Sequence, residues 1–355
     1  MGAILVAFLI AVVIGFAAHR ASVCTVRAVG EVIGSSTGYM FFSILKSIFW
    51  VVAITIPVFF LAPEAAAGVK GWPLTAAAVA GGFLFGVGSG VNGACAYSTM
   101  ARMVDGEGRM LVTVIGFALG VGAFVLLLGG GLTSRPTPTP AMVGALAGWA
   151  KGLAVVVVLV GLFEAVRLWR SRPTGASLGS LVFAPRYRLS SAALLIGLAA
   201  AAIFFLSGPS GYSSTFELII EAIFGTRPWP NVARWSILVG VLLGMVFSTL
   251  QRGTFRLDLA PRTEWLRNLA GGVLMGAGVA MTPGGNDALV LYGIPTLSPH
   301  ALPAYVGMAV GIALALLLLR VIFSIRTAVE CRNDLYIGDT GLGSRPLKTL
   351  VEKPI

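Results

Sequence analysis

Two cysteines, each just past the end of an apolar run and each trailed by an arginine, are the residues in this chain best suited to do chemistry. Cys95 stands in the break Asn92-Gly93-Ala94-Cys95, with Arg102 and the turn Gly106-Glu107-Gly108 downstream; Cys24 follows His19-Arg20 and precedes Arg27. A thiol so placed can donate a weak S–H hydrogen bond or, as thiolate, act as a nucleophile or metal ligand. Metal chemistry is disfavoured, because the chain offers three cysteines without CxxC spacing and only two histidines, His19 and His300. No metal or other cofactor is expected, and no disulfide framework. Cys331 lacks the setting of the other two and is expected to be an incidental reduced thiol.

A second break, Thr282-Pro283-Gly284-Gly285-Asn286-Asp287, lies in the last third of the chain. Asn286 has two amide N–H donors. Asp287 has two readings: a cap for the first N–H groups of the following helix, or a proton-coupling group, since acids at membrane depth often mark proton relays.

The elements that must position these residues are membrane helices. Hydrophobic residues make up 57% of the 355, charged residues 11%, and the mean hydropathy is +0.92. About 20 apolar residues of helix cross a hydrocarbon core of roughly 30 Å. Such runs predict nine spans: 3–19, 39–62, 74–91, 110–132, 142–166, 190–206, 233–250, 266–283 and 301–323. The expected fold is an all-α, polytopic integral membrane protein with short re-entrant helices. Residues 1–325 form one embedded domain, and 326–355 a polar cytoplasmic tail, partly without regular structure. The first run is expected to be retained, not cleaved. Irregular backbone at membrane depth is tolerated only where protein or a water-lined path satisfies it. Cys95 is therefore expected to face a pathway.

Arginine sets the expected orientation, because short basic loops stay cytoplasmic. Arg167, Arg170, Arg172, Arg186 and Arg188 follow span five, Arg252, Arg256, Arg262 and Arg267 follow span seven, and Arg320, Arg326, Arg332, Arg345, Lys348 and Lys353 mark the C-terminal end. The N-terminus is then outside and the C-terminus inside a bacterial inner membrane. The same bias accounts for the net charge of +11 without a nucleic-acid partner, since the basic residues flank membrane segments and anionic lipid headgroups.

Glycines reveal a repeat. Gly81, Gly82, Gly86 and Gly88 recur as Gly271, Gly272, Gly276 and Gly278 at an offset of 190, and Gly116 and Gly120 pair with Gly307 and Gly311 after one residue of slip. The predicted topology runs these copies in opposite directions, a pseudo-two-fold inverted repeat with halves at about 1–132 and 233–323, linked by spans 142–166 and 190–206. Both copies end in a helix-breaking cluster, and paired interrupted helices point to a substrate site near the midplane. A weaker match sets Gly15, Cys24, Thr25 and Arg27 against Gly244, Gly253, Thr254 and Arg256, and the same span count makes those segments parallel. Helix starts after such breaks attract anions through free N–H groups and the dipole.

Other polar residues have plainer expectations. Lys46 and Lys151 fall within spans and are expected to snorkel. Glu217 and Glu221, four residues apart on a short helix within an interfacial segment 208–231, are expected to be solvated.

Gly15-Phe16, Arg20 and Cys24, with Gly93-Ala94-Cys95, Arg102 and Gly106-Glu107-Gly108, resemble the motifs of the YeeE/YedE family, whose members include a bacterial thiosulfate importer and the SoxT proteins of sulfur-oxidising bacteria. The resemblance covers nearly the whole chain. It implies that cysteines line a narrow central path between two concavities, passing thiosulfate by transient S–H hydrogen bonds, and that a small cytosolic sulfur-carrier protein is a partner. The importers carry a third cysteine in the second half, whereas here the matching place reads Pro283 to Asp287. The expected substrate is thus thiosulfate or a related sulfur species, including sulfite, sulfate, polysulfide and selenium compounds.

The expected function is a permease, not an enzyme, importing a small inorganic sulfur anion. Cys24, Cys95 and Asn286 are the expected donors, Arg20, Arg27 and Arg102 the expected source of positive potential, and Asp287 a further site residue. One alternative is a membrane sulfurtransferase in which Cys95 takes the outer sulfur as a persulfide and passes it to Cys24. The other is a scaffold subunit that transports nothing.

Overall fold

A computed structural model describes residues 2–62, 69–128, 137–138, 148–171, 177–259, 264–324 and 328–340. The ends of expected spans 110–132 and 142–166, at 129–132 and 142–147, lie outside the described residues, as does 341–355. The helices are α1 Gly2–Ala21, α2 Thr25–Ser35, α3 Tyr39–Leu61, α4 Ala76–Asn92, α5 Ala96–Val104, α6 Arg109–Leu128, α7 Gly148–Arg170, α8 Leu178–Val182, α9 Leu189–Ser207, α10 Tyr212–Ile223, α11 Val232–Arg252, α12 Glu264–Met281, α13 Asn286–Ala288 continuing as a wider π-turn Leu289–Gly293, and α14 Ala301–Phe323. Short antiparallel pairs join β1 Lys70–Gly71 to β2 Thr137–Pro138 and β3 Ala328–Arg332 to β4 Leu335–Thr340.

The protein is a polytopic all-α membrane protein, with eight helices among the described residues long and apolar enough to cross a bilayer. Two of these are broken: α1 runs on into α2 and α4 into α5. α12, expected as a span, is not among the eight; Glu264, Arg267 and Asn268 dilute its hydropathy. It is nonetheless wedged between α4 and α6.

The glycine repeat is a packing repeat. A Cβ on Gly82 or Gly86 of α4 would strike the carbonyl oxygen of Ala304 or Met308 in α14, and a Cβ on Gly272 or Gly276 of α12 would strike that of Thr113 or Phe117 in α6. Each partner pair is displaced by the same 190 or 191 residues as the glycines. Gly81 lies against Gly278 and Gly88 against Gly271, so α4 and α12 run antiparallel, as inverted copies must. Small residues let membrane helices approach this closely, where dispersion replaces the hydrophobic driving force that lipid does not supply.

The exchange extends further. α1 packs on α11 as α9 packs on α3, α2 on α14 as α10 on α6, and α5 on α11 as α13 on α3. α9, assigned to the link from the sequence, is thus the counterpart of α1, and α10 that of α2. The weaker match is different in kind. Gly240 meets Phe8 and Gly244 meets Val12, so those segments are two parallel helices packed together, not copies related by inversion.

Packing corrects one expectation and adds to another. Lys46 does not snorkel: its Nζ lies 2.8 Å from Glu164 of α7 and donates to Ser190 Oγ at 2.7 Å. Residues 328–340 of the tail form a hairpin docked on α2, with Val329 against Gly30 and Ser35 Oγ donating to the Val329 carbonyl at 2.5 Å. Asp334 in its turn accepts from Ser190 N and Oγ. Cys331 is accordingly buried, 5% exposed.

Candidate functional site

Four half-helices start close together in the interior. Their cap residues are Cys24 before α2, Cys95 before α5, Gly211 before α10 and Gly285 before α13. Local sequence explains each start. Gly93 ends α4 in the left-handed region at φ 76°, its N–H and that of Ala94 both returning to the Ser89 carbonyl. Gly284 turns the chain at φ 96° after α12. Glycine takes such angles without strain, so the chain re-enters as a new helix instead of leaving the membrane.

The caps touch in pairs. The Cys24 and Cys95 thiols are hydrogen-bond neighbours, each also approached by backbone N–H groups, those of Arg27 and Ser98. Neither geometry completes a side-chain cap. Both thiols are buried, at 2% and 1% exposure. In the other half, a Cβ on Gly211 would lie 2.8 Å from Asp287 Oδ2, and one on Gly285 would lie 2.8 Å from Ser213 Cβ and closer still to its Oγ. Tyr97 and Tyr212 join the two pairs edge to face, 5.6 Å between ring centroids, and Tyr97 Oη donates to the Gly15 carbonyl at 2.9 Å. Thr25 hydrogen-bonds Tyr305.

Asp287 caps more than its own helix. Its carboxylate accepts from Ser213 N at 3.2 Å and from Ser213 Oγ, both of α10, as well as from N–H groups at the start of α13. Asn286 is 7% exposed, and its Oδ1 has no hydrogen-bond partner among the described residues.

Two of the three expected cations, Arg20 and Arg102, are held by groups other than the thiol pair. Arg20 donates to the Ala184 carbonyl and Gln251 Oε1 and stacks 4.3 Å over Phe16. Arg102 grips Glu107 with two bonds of 3.0 and 2.7 Å. Arg27 donates to the Ser22 carbonyl at 3.2 Å and lies 4.8 Å over Tyr336 of the hairpin; its charge acts on Cys24. Cys24, Cys95, Asn286 and Asp287 are thus interior, while Arg20 and Arg102 brace the ends of α1 and α5.

A cavity of about 590 Å³ opens on the side toward which α10 runs, with Gly211, Pro283, Gly284 and Ala288 among its wall residues. It therefore reaches two of the four helix starts. Its walls include Glu217, Glu221, Arg227, Arg234 and His300. Glu217 and Glu221, expected to be solvated, are 9% and 8% exposed, because α10 folds into the protein between α6, α11 and α13.

Residues 20–314 match the family described as sulphur transport, the YeeE/YedE family. The chain belongs to this family. No curated protein matches it. The family match spans every half-helix start described above, and the multi-pass helical architecture agrees with sulphur transport across a membrane. Tyr97, Tyr212, Ser213 and Tyr305 are site residues that sequence reasoning missed in this family member. Their one signal was position: Tyr97 falls two residues after Cys95, and Tyr212 begins the helix that Gly211 opens.

Proposed function

We propose that this protein is a permease that carries a small sulfur oxyanion, thiosulfate first, inward between the four half-helix starts, with no covalent change to the substrate. The observation that carries the reading is the convergence of the caps Cys24, Cys95, Gly211 and Gly285, none of which makes a side-chain cap bond. The positive dipole ends of the four half-helices favour an anion, and the N–H groups at the starts of α10 and α13 already hold one, the carboxylate of Asp287. The two thiols add weak donors, which hold a dianion loosely enough to release it. Arginine distribution supports an external N-terminus and a cytoplasmic C-terminus in a bacterial inner membrane, and the hairpin side then faces a cytosolic sulfur carrier.

Uptake of radiolabelled thiosulfate, sulfite and sulfate into vesicles holding the purified protein tests this. Saturable entry of one of them is expected; entry of none overturns it. The contact between Cys24 and Cys95 favours one second reading, a sulfurtransferase that hands a persulfide from Cys95 to Cys24. Mass spectrometry finding one added sulfur atom on Cys95 after exposure to thiosulfate would decide for that enzyme.

A further inference from the structure

An anion path has no evident use for carboxylates, yet three acids stand between the cavity and the centre. Ser213, Glu217 and Glu221 recur at every fourth residue of α10 and so share one side of the helix, each step rising about 6 Å. Glu221 lies 3.6 Å from Arg227. Glu217 lines the cavity, is nine-tenths buried, and forms no hydrogen bond or close ion pair among the described residues. One turn deeper, Ser213 Oγ donates to Asp287 Oδ1, and Asp287 is 4% exposed.

Asp287 occupies the seat that the helix starts offer to an anion. While charged, it satisfies N–H groups of α10 and α13 and repels an incoming oxyanion; once protonated, it loses that hold. We propose that Glu217, Ser213 and Asp287 form a proton ladder, so that each sulfur anion enters together with a proton that neutralises Asp287 and frees the seat.

The transfer balances as a proton relay with no change of electron count. A proton from the cavity solvent binds the Glu217 carboxylate. The Ser213 hydroxyl passes its own proton to Asp287 and takes the one from Glu217, across a gap of about 5–6 Å between neighbouring positions on a helix face that one solvent molecule bridges. Glu217 is again charged and Asp287 is neutral; as the anion leaves inward, Asp287 releases its proton to that same side and takes back the N–H groups of α10 and α13.

The groups facing Glu217 are Glu221 on its own helix, Arg227 from the following loop, Arg234 of α11, Tyr292 of α13, and His300 ahead of α14. Burial and the adjacent Glu221 push the Glu217 carboxyl well above the ordinary range, against the pull of Arg227 and Arg234.

This inference rests on the permease reading, and one experiment separates the two. The full-length protein is placed in vesicles containing a trapped pH dye, with the membrane potential clamped by potassium and valinomycin, and radiolabelled thiosulfate, sulfite or sulfate is added. In the wild type, uptake should acidify the lumen, and an external pH two units lower should raise accumulation by up to about 100-fold for one proton per anion. E217Q should lose lumen acidification and gradient stimulation together, and E217D should restore both. Entry of none of the anions sinks the permease and the ladder alike. Entry without acidification in the wild type, or an unchanged proton-to-anion ratio in E217Q, sinks the ladder alone.

Discussion

Cys95 and Gly285 hold the same position in the two inverted halves, separated by the offset of 190 that relates the packing glycines. Each opens the half-helix that follows one of two antiparallel helices, α4 and α12. The centre is therefore asymmetric in chemistry where it is symmetric in backbone. A Cβ at Gly285 would meet the Ser213 side chain, so the space a second-half thiol would need is filled from α10.

Cys95 should tolerate serine better than alanine. Serine keeps a donor at the cap, whereas alanine removes it, and a lost hydrogen bond to a charged partner costs about 1.5–3 kcal/mol. Radiolabelled thiosulfate uptake should be partly kept in C95S and fall at least tenfold in C95A. Equal loss in both variants would instead favour a nucleophilic sulfur.

Gly86 and Gly276 should be equally intolerant of a methyl group. The added Cβ would overlap a backbone carbonyl oxygen, Met308 O in one case and Phe117 O in the other, and backbone yields less than a side chain. Overpacking of this kind costs about 1–3 kcal/mol. Thermal unfolding in detergent should show G86A and G276A falling by similar amounts, whereas G152A, with open space around it, should unfold like the wild type.

Lys46 and Glu164 should show coupling in a double-mutant cycle. They tie α3 to α7 through a contact of 2.8 Å, with side chains 29% and 13% exposed. Glu164 also has Arg167 at 3.2 Å, so losing Lys46 alone does not strand it. E164L should therefore destabilise more than K46M, and the double variant K46M/E164L should recover part of the loss, a coupling of about 0.5–3 kcal/mol. Additive effects would show that the pair is incidental.

Acid should loosen the Arg102–Glu107–Arg109 brace. Burial opposes ionisation of Glu107, but Arg102 and Arg109 outweigh it and hold the carboxyl below its ordinary 4.5. A folded-state value below the unfolded one contributes stability that is present above the unfolded value and lost as pH falls through the folded one. The melting temperature should drop more steeply below about pH 4.5 in the wild type than in E107Q. Parallel pH profiles would show that the brace contributes nothing.

Much of this site was legible before any packing was known. Gly93 and Gly284 announce helix breaks because few other residues take a positive φ at low cost, and that located Cys95 and Asn286 at half-helix starts. Residues that act through distant neighbours were not legible. Glu217 and Glu221 look like a solvated helix face until α10 is seen folded against α6, α11 and α13. Lys46 looks like a snorkelling side chain until α7 brings Glu164 beside it. Cys331 looks incidental until the hairpin docks on α2.

Taken alone, the amino-acid sequence determined the membrane class, the interrupted helices and the inverted glycine repeat, because hydropathy, helix-breaking geometry and residue size are local properties that survive without a partner. Tertiary structure decided which breaks meet, that α9 mirrors α1, that Arg20 and Arg102 brace the scaffold while the two thiols are buried side by side, and that Asp287 caps a helix 74 residues away. Those outcomes depend on contacts between segments far apart in the chain, where burial, close packing and the need to satisfy each buried polar group select one arrangement from many that the local pattern allows.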